Sequence, residues 1–426
     1  MILELDRKSA PASFDLNKTN IIEAERLNIN NYKVYCVKGG TEPVIKLEII
    51  FPYGNRTETN KLIAAATNYL MNSGTHTASS KELMENIDYY GAFYQHDNSF
   101  DRSSLSIYTL KRYYKETFEI FFDIIQNANF PESEIDIYKE NSKQRFIINS
   151  TKNDFLARRA FNYALFNEHP YGYKIDQNDF DSISRDQILA YYHSNYKLKN
   201  STIIISGDVS DDVISALSNH LQNDATSEVN NTITLPEFNE YKKQVYFEER
   251  KDALQSAIRI GRPIINKKHE DFIDLNILCT VLGGYFGSRL MTNIREDKGY
   301  TYGIGAGLYS LMDTGFFYIA TEVGADVCQK ALDEIYKEVN RLNTELIPED
   351  ELNLVKNYLK GSYINSIENI FSHADKFKGI HFYDLNYDYY NQYFNHLNTI
   401  NSERLMNLSK EYLTVDVLSE VVIGKK

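Results

Sequence analysis

Taken by themselves, Arg295 and Tyr302 read as a surface helix residue and a half-buried strand aromatic, and the chemistry open to their types is hydrogen-bond donation. An arginine near a helix end can donate to peptide carbonyls, and a tyrosine early in the next strand can donate to a developing oxyanion. Such donors need another group to supply activated water, and the chain offers little for that purpose. Its nine histidines contain no i, i+4 pair to set two imidazoles on one helix face for a metal. No nucleophile-base or paired-carboxylate pattern stands out. Cys36, Cys279 and Cys328 fit no CxxC spacing and read as reduced, mostly buried thiols. Gly283, Gly284 and Gly287 crowd one turn, but no GK[ST] follows and the order is helix, turn, helix, which speaks against a phosphate loop.

The elements that must position these residues come in two copies. Ile183-Ser184-x-Asp186-x-Ile188 and Ile204-Ile205-Ser206-Gly207 recur as Ile400-Asn401-x-Glu403-x-Leu405 and Val421-Val422-Ile423-Gly424, both 217 residues later. Each block reads as a capped helix and a short apolar strand closed by glycine. A second match, 207 residues apart, pairs Leu83-Met84-x-Asn86-Ile87 with Leu290-Met291-x-Asn293-Ile294. The polar stretch 222–237, QNDATSEVNNTITLPE, reads as a linker. The expected organisation is therefore a domain over 1–221, a linker over 222–240 and a domain over 241–426. In the first copy, strands are expected near 32–37, 44–52 and 201–206. A helix is expected at 58–72, a hairpin over 92–110, and helices at 112–128, 132–148, 152–166 and 184–194. The second copy repeats this with strands at 243–249, 255–261, 301–309, 314–323 and 418–423, and helices at 268–282 and 287–297. Hairpins followed by grouped helices indicate an α+β fold: two homologous domains, each an antiparallel β-sheet covered by helices.

Composition narrows the function classes. At 426 residues, 42% apolar and 25% charged, the chain is an ordinary globular sequence with room for two large cores. Its 33 Tyr and 23 Phe, without Trp, read as core and interface filling. A net charge of −13 and the lack of a basic run argue against nucleic acid as a partner. No stretch approaches 18 consecutive apolar residues, and MILELDRKSAPASFDL has no apolar signal core, so no membrane partner and a cytoplasmic location are expected.

Three segments carry a family resemblance. Asn60 to Thr75, after Tyr53-Gly54-Asn55-Arg56, is similar to the segment of pitrilysin and insulinase-type zinc peptidases that bears H-x-x-E-H on a helix before a Gly-Thr turn. Glu168-His169-Pro170-Tyr171-Gly172 resembles the family's H-P-Y-G turn. Leu282 to Leu290 followed by Ile294-Arg295-Glu296-Asp297-Lys298-Gly299-Tyr300-Thr301-Tyr302 looks like the signature of the family's C-terminal half, in which an Arg and a Tyr seven residues on reach substrate.

Aligned on Gly74-Thr75, the resemblance sets Ala65 and Tyr69 at the histidine positions, Asn68 at the glutamate position and Arg145 at the third-ligand position. Ala65 has no donor atom, Asn68 cannot take a proton from water, a tyrosine hydroxyl with a pKa of about 10 is a poor ligand at neutral pH, and an arginine repels Zn²⁺. What the resemblance implies is a mitochondrial-processing-peptidase-like architecture whose two domains face each other across a chamber, with no metal or cofactor in this chain. The implied role is that of a non-catalytic subunit, inactive alone, that binds peptide substrate and lends Arg295 and Tyr302 to a homologous H-x-x-E-H subunit holding zinc. Gly283, Gly284 and Gly287 are then a substrate-handling loop or a plain helix break. Left open are a homodimer of the isolated chain and a proteolytically silent structural or binding protein of the same fold.

Overall fold

Ser184 and Asn401 each accept a hydrogen bond from the main chain three residues on, Gln187 N at 3.3 Å and Arg404 N at 2.9 Å, and so start two helices 217 residues apart. The same correspondence runs through the computed structural model, which describes residues 20–221 and 237–426. The first half comprises β1 (Glu25–Ile29), β2 (Tyr32–Lys38), β3 (Val44–Phe51), α1 (Ile63–Leu70), α2 (Ser80–Tyr89), β4 (Phe93–Asn98), β5 (Ser103–Leu110), α3 (Tyr114–Asn127), α4 (Glu132–Asn149), α5 (Asn153–Phe166), α6 (Arg185–Asn195), β6 (Thr202–Gly207) and α7 (Asp211–His220). The second comprises β7 (Val245–Glu249), β8 (Gln255–Ile264), α8 (Phe272–Cys279), β9 (Thr301–Ser310), β10 (Gly315–Gly324), α9 (Cys328–Thr344), α10 (Glu349–Asn365), α11 (Ile370–His381), α12 (Asp388–Thr399), α13 (Ser402–Tyr412) and β11 (Ser419–Gly424). The expected linker lies mostly outside the described residues.

The fold is α+β with two sheets covered by helices. One sheet runs β1-β2-β6-β3-β5-β4 and the other β7-β11-β8-β10-β9, the same order apart from the added β1. Neither is purely antiparallel, contrary to expectation. The last strand of each half returns to lie parallel to the first, β6 on β2 and β11 on β7. The helical crossovers between those strands make a parallel return available.

One face of each sheet is covered by helices of its own half, through Leu47, Ile49 and Leu105 in the first and Ile258, Ile260 and Phe317 in the second. The opposite face is covered, in part, by exchange. Helix α5 lays Ala157, Phe161 and Ala164 against Ala257, Val421 and Ile423 of the second sheet. Its counterpart α11 lays Ile370, Ala374 and Phe377 against Val37, Ile50 and Ile204 of the first. Gly261 permits the first contact, since a Cβ there would stand 2.8 Å from Phe161 Cζ and 1.9 Å from the Phe317 carbonyl oxygen. A polar seam adds to it. Asp101 is 6% exposed, accepts from Tyr171 Oη at 2.6 Å and from Met312 N at 3.2 Å, and pairs with Arg56 at 3.0 Å. Arg56 also pairs with Asp313. Within the chain the halves therefore meet in a packed seam. Cys36, Cys279 and Cys328 are free and buried, as anticipated.

Candidate functional site

Glu58 decides where α1 begins. Its carboxylate accepts from Leu62 N and Ala64 N, both at 2.9 Å, and from the Tyr173 hydroxyl. With Leu62 in the left-handed region (φ 68°), the regular helix starts at Ile63, five residues later than the sequence pattern predicts. Burial pushes the Glu58 carboxyl up to about 7, against the pull of its hydrogen bonds to Tyr173, Ala64 and Leu62.

Along α1, Ile63, Ala66 and Leu70 are buried in the core. Asn68 is fully buried as well. It donates from Nδ2 to the Asp97 carbonyl at 2.8 Å and accepts from Tyr196 Oη at 3.0 Å, so it ties the helix to β4 and to the segment after α6. Ala65 is half-buried and Tyr69 is 44% exposed. The Tyr69 ring lies 5.1 Å from His96 and 5.0 Å from Tyr138 of α4. Tyr138 is what α4 sets against the second histidine position. Arg145, two turns further on, is exposed. Among the described residues no group of three His, Cys, Asp or Glu stands together as a metal site. The residues at the four positions supply one amide, one phenol, one methyl and one guanidinium, which cannot hold Zn²⁺ or activate its water.

The Arg/Tyr segment lies on the second sheet. Helix α8 passes into a π-helical turn, Thr280–Gly284, and a second π-helical segment, Met291–Asp297, leads through Gly299 (φ 67°) into β9. Such widened turns recur at functional sites. Gly283 is a packing residue, for a Cβ there would stand 2.5 Å from Ala306 N on β9. Gly284 and Gly287 lie on the exposed side of the turn. Arg289 is 9% exposed and grips Glu351 of α10 with both arms, at 2.8 and 2.9 Å. Asn293 donates to Glu334 and Glu338 of α9 at 2.9 and 2.7 Å. The π-helical segment is thus clamped on one side, and it turns Arg295 to the other.

Arg295 Nε donates to the Tyr302 main-chain carbonyl at 3.0 Å, and its guanidinium lies 4.5 Å from the centre of the Phe286 ring. The Tyr302 side chain is 92% exposed. The two residues expected to act together are therefore in contact, with the phenol presented outward. Phe286, over whose ring the Arg295 guanidinium lies, was not among the residues expected from sequence. Its exposed aromatic ring between glycines was the available signal. A cavity of about 1220 Å³ lies against the clamped side, lined by Thr292, Asn293, Asp297, Glu338 and Glu351 among others, and neither Arg295 nor Tyr302 reaches it.

Two sheets of matching strand order, a helix α1 without metal-binding side chains and an exposed Arg/Tyr pair are the features to set beside known proteins. Residues 182–359 match the family described as "Peptidase M16 inactive domain". The chain is 24% identical to the "Uncharacterized zinc protease YmxG" of Bacillus subtilis, over 91% of this chain and 95% of that protein. It is 20% identical to the "Non-peptidase homolog YmxG" of Helicobacter pylori, over 88% and 87%. Among solved structures, a peptidase M16 inactive domain from Pseudomonas fluorescens superposes with a TM-score of 0.84 at 21% identity, covering 96% of this chain and 99% of that one. A protease from Helicobacter pylori gives 0.87 at 18% identity, covering 95% and 100%. The chain is thus similar to M16 peptidases along most of its length, in keeping with its pitrilysin and insulinase-type resemblance, and its sequence contains no H-x-x-E-H motif. No helix among the described residues is long and apolar enough to cross a membrane.

Proposed function

We propose that this chain is the non-catalytic subunit of a two-chain zinc peptidase. It binds peptide substrate and contributes Arg295 and Tyr302 to the site of a homologous H-x-x-E-H subunit, which holds the zinc. The observation that carries this reading is the contact of Arg295 with Tyr302 beside an outward phenol, on a segment clamped by Arg289 and Asn293. The exposed Tyr302 phenol has no packing role, and its main chain is held by Arg295, as a donor presented to a partner's oxyanion requires. The emptied helix α1 supports the same division of labour, because the packing face is kept and the chemistry is gone. The chamber then forms between two chains, the seam within this one being packed. A cytoplasmic setting is part of the proposal.

The test is reconstitution. The purified chain should carry no stoichiometric zinc and cleave nothing from a peptide library, and mixing it with an H-x-x-E-H homologue should raise that homologue's peptidase activity. The alternative of a proteolytically silent structural or binding protein draws on the name of the Helicobacter relative. A stable complex with an intact H-x-x-E-H homologue that gains no activity would favour that alternative and defeat the proposal.

A further inference from the structure

The face of the first sheet that α11 approaches is only half covered. Helix α11 packs over Val37, Ile50 and Ile204, which are apolar. Beyond its edge the same face is polar. Register places Glu48 opposite Ser106, Ile50 opposite Ser104, Gln95 opposite Ser106 and Asp97 opposite Ser104, so Lys46, Glu48, Ser104, Ser106, Gln95 and Asp97 share one side of β3, β5 and β4. Two cavities open there. One, of about 490 Å³, is lined by Lys46, Glu48, Ser104, Ser106 and Lys378. The other, of about 280 Å³, is lined by Arg102, Glu48, Ser104, Lys378, Phe382 and Tyr383. They share Glu48, Asp97, Ser104 and Lys378.

Cations outnumber carboxylates at this place in an otherwise acidic chain. Lys46 is 6% exposed and pairs with Glu48 at 2.9 Å. Glu48 is 6% exposed and must also serve Lys378, at 2.8 and 3.0 Å. Lys378 has a second carboxylate, the exposed Asp375 at 2.8 Å. Arg102 forms no ion pair among the described residues; its guanidinium lies 4.0 Å from the centre of the Phe382 ring and donates to Met312 Sδ at 3.7 Å. Lys267 stands behind the wall, donating at 3.1 Å to the carbonyl of Gly379, which lines the smaller cavity. Burial, with Lys376 and Arg102 nearby, lowers the Lys267 ammonium to about 8. Lys46, Lys378 and Arg102 thus line the cavities against Glu48 and Asp97, with Asp375 beside Lys378 and Asp101 near Arg102 outside the lining, and a buried cation without a full counter-charge is costly unless an anion joins it.

We propose that these paired cavities between β3, β5 and α11 are an anion-binding site. Lys46, Lys378 and Arg102 hold a small molecule bearing a carboxylate or phosphate, and the Ser104 and Ser106 hydroxyls complete the wall. Lysine suits either group as a point charge, and Arg102 offers a planar fork to one of its oxygens. Because the wall is part first sheet and part α11, the bound anion would also tie the two halves together. The site is separate from Arg295 and Tyr302, so it stands or falls independently of the proposed subunit role.

The experiment is calorimetric titration of the full chain at fixed ionic strength with inorganic phosphate, with succinate, and with a short peptide carrying either a free C-terminal carboxylate or an amide. One of the first three should bind saturably at one per chain, and which one does identifies the anion's source. The amidated peptide should not bind. Ser104→Leu, which fills the shared wall without touching a cation, and Arg102→Gln should each weaken binding at least tenfold while thermal unfolding without ligand stays cooperative. Lys46→Met should do the same, and if it fails to fold the two other variants still decide. Heats that never saturate, or affinities unchanged in Ser104→Leu and Arg102→Gln, would overturn the proposal and leave Lys46, Glu48 and Lys378 as an ion network that only fastens α11.

Discussion

Arg295 and Tyr302 are joined through the main chain: the guanidinium Nε donates to the tyrosine carbonyl at 3.0 Å, so the arginine fixes the first residues of the strand from which the phenol emerges. Their seven-residue spacing follows from this geometry. The π-helical segment ends at Asp297, the chain turns at Gly299, and β9 returns past the arginine one side chain later. An arginine one position earlier would face the core, where Ile294 is fully buried.

Substitutions at the pair should therefore separate chemistry from folding. In the reconstituted two-chain enzyme, Tyr302→Phe is expected to lower kcat by roughly 10²–10³, the loss typical of one oxyanion donor, with KM little changed. Thermal unfolding should not move, because the hydroxyl is exposed. Arg295→Ala should lower kcat/KM as well and loosen the strand start, whereas Arg295→Lys cannot reproduce the flat contact with Phe286 and should restore little. Full activity in Tyr302→Phe would remove the tyrosine from the site.

Asn68 occupies the glutamate position of the zinc motif, and its present contacts are structural. Its amide satisfies both the Asp97 carbonyl and the Tyr196 hydroxyl inside the core. Asn68→Ala removes both hydrogen bonds inside the core and should cost about 1–3 kcal/mol. Asn68→Glu keeps an acceptor for Tyr196 but turns a carboxylate oxygen toward the Asp97 carbonyl, so it should destabilise at neutral pH by a similar amount. Urea melts of the two variants are the check. If Asn68→Glu proves as stable as the parent, the helix has not committed this position to packing.

The exchanged helices predict a single unfolding transition. Phe161→Ala on α5 and Phe377→Ala on α11 each remove a ring that lies on the other half's sheet, and each should cost about 3–5 kcal/mol if the site does not collapse. Because each helix belongs to one half and packs on the other, both variants should lower the melting of the whole molecule. Two separated calorimetric transitions in either variant would show that the halves unfold independently.

Much of this arrangement is legible in the sequence. The repeat 217 residues apart aligns α6 with α13 and β6 with β11, and the strands at 32–37, 44–52, 255–261 and 314–323 lie where alternation places them, within a few residues. Illegible were features set by long-range contacts. No local pattern says that Phe161 packs on Val421, or that β6 returns parallel to β2. The late start of α1 depends on Glu58 meeting Tyr173, 115 residues away. At the site the Arg/Tyr spacing was readable because it is local. Which residue of α4 meets Tyr69 was not legible, because the angle of α4 that brings Tyr138 to 5.0 Å from it is set by tertiary packing.

Glu58 gives the fold a dependence on pH that can be isolated. Burial raises its carboxyl from the usual 4.5 to about 7 in the folded chain, so between those values the native state holds a proton that the unfolded state has released. The native state then binds more protons, and stability falls as pH rises through that window, flattening above about 7. The loss attributable to this one group is roughly 2–3 kcal/mol between pH 4.5 and 8. Glu58→Gln carries no charge at any pH and still offers an oxygen to Leu62 N and Tyr173, giving up only the second acceptor toward Ala64 N. Unfolding free energies measured at pH 5 and pH 8 should therefore differ less in Glu58→Gln than in the parent, and all other titrating groups cancel in that comparison. Equal pH dependence in both proteins would mean that the carboxylate is already ionised in the fold, held by the amides at the start of α1 and the Tyr173 hydroxyl.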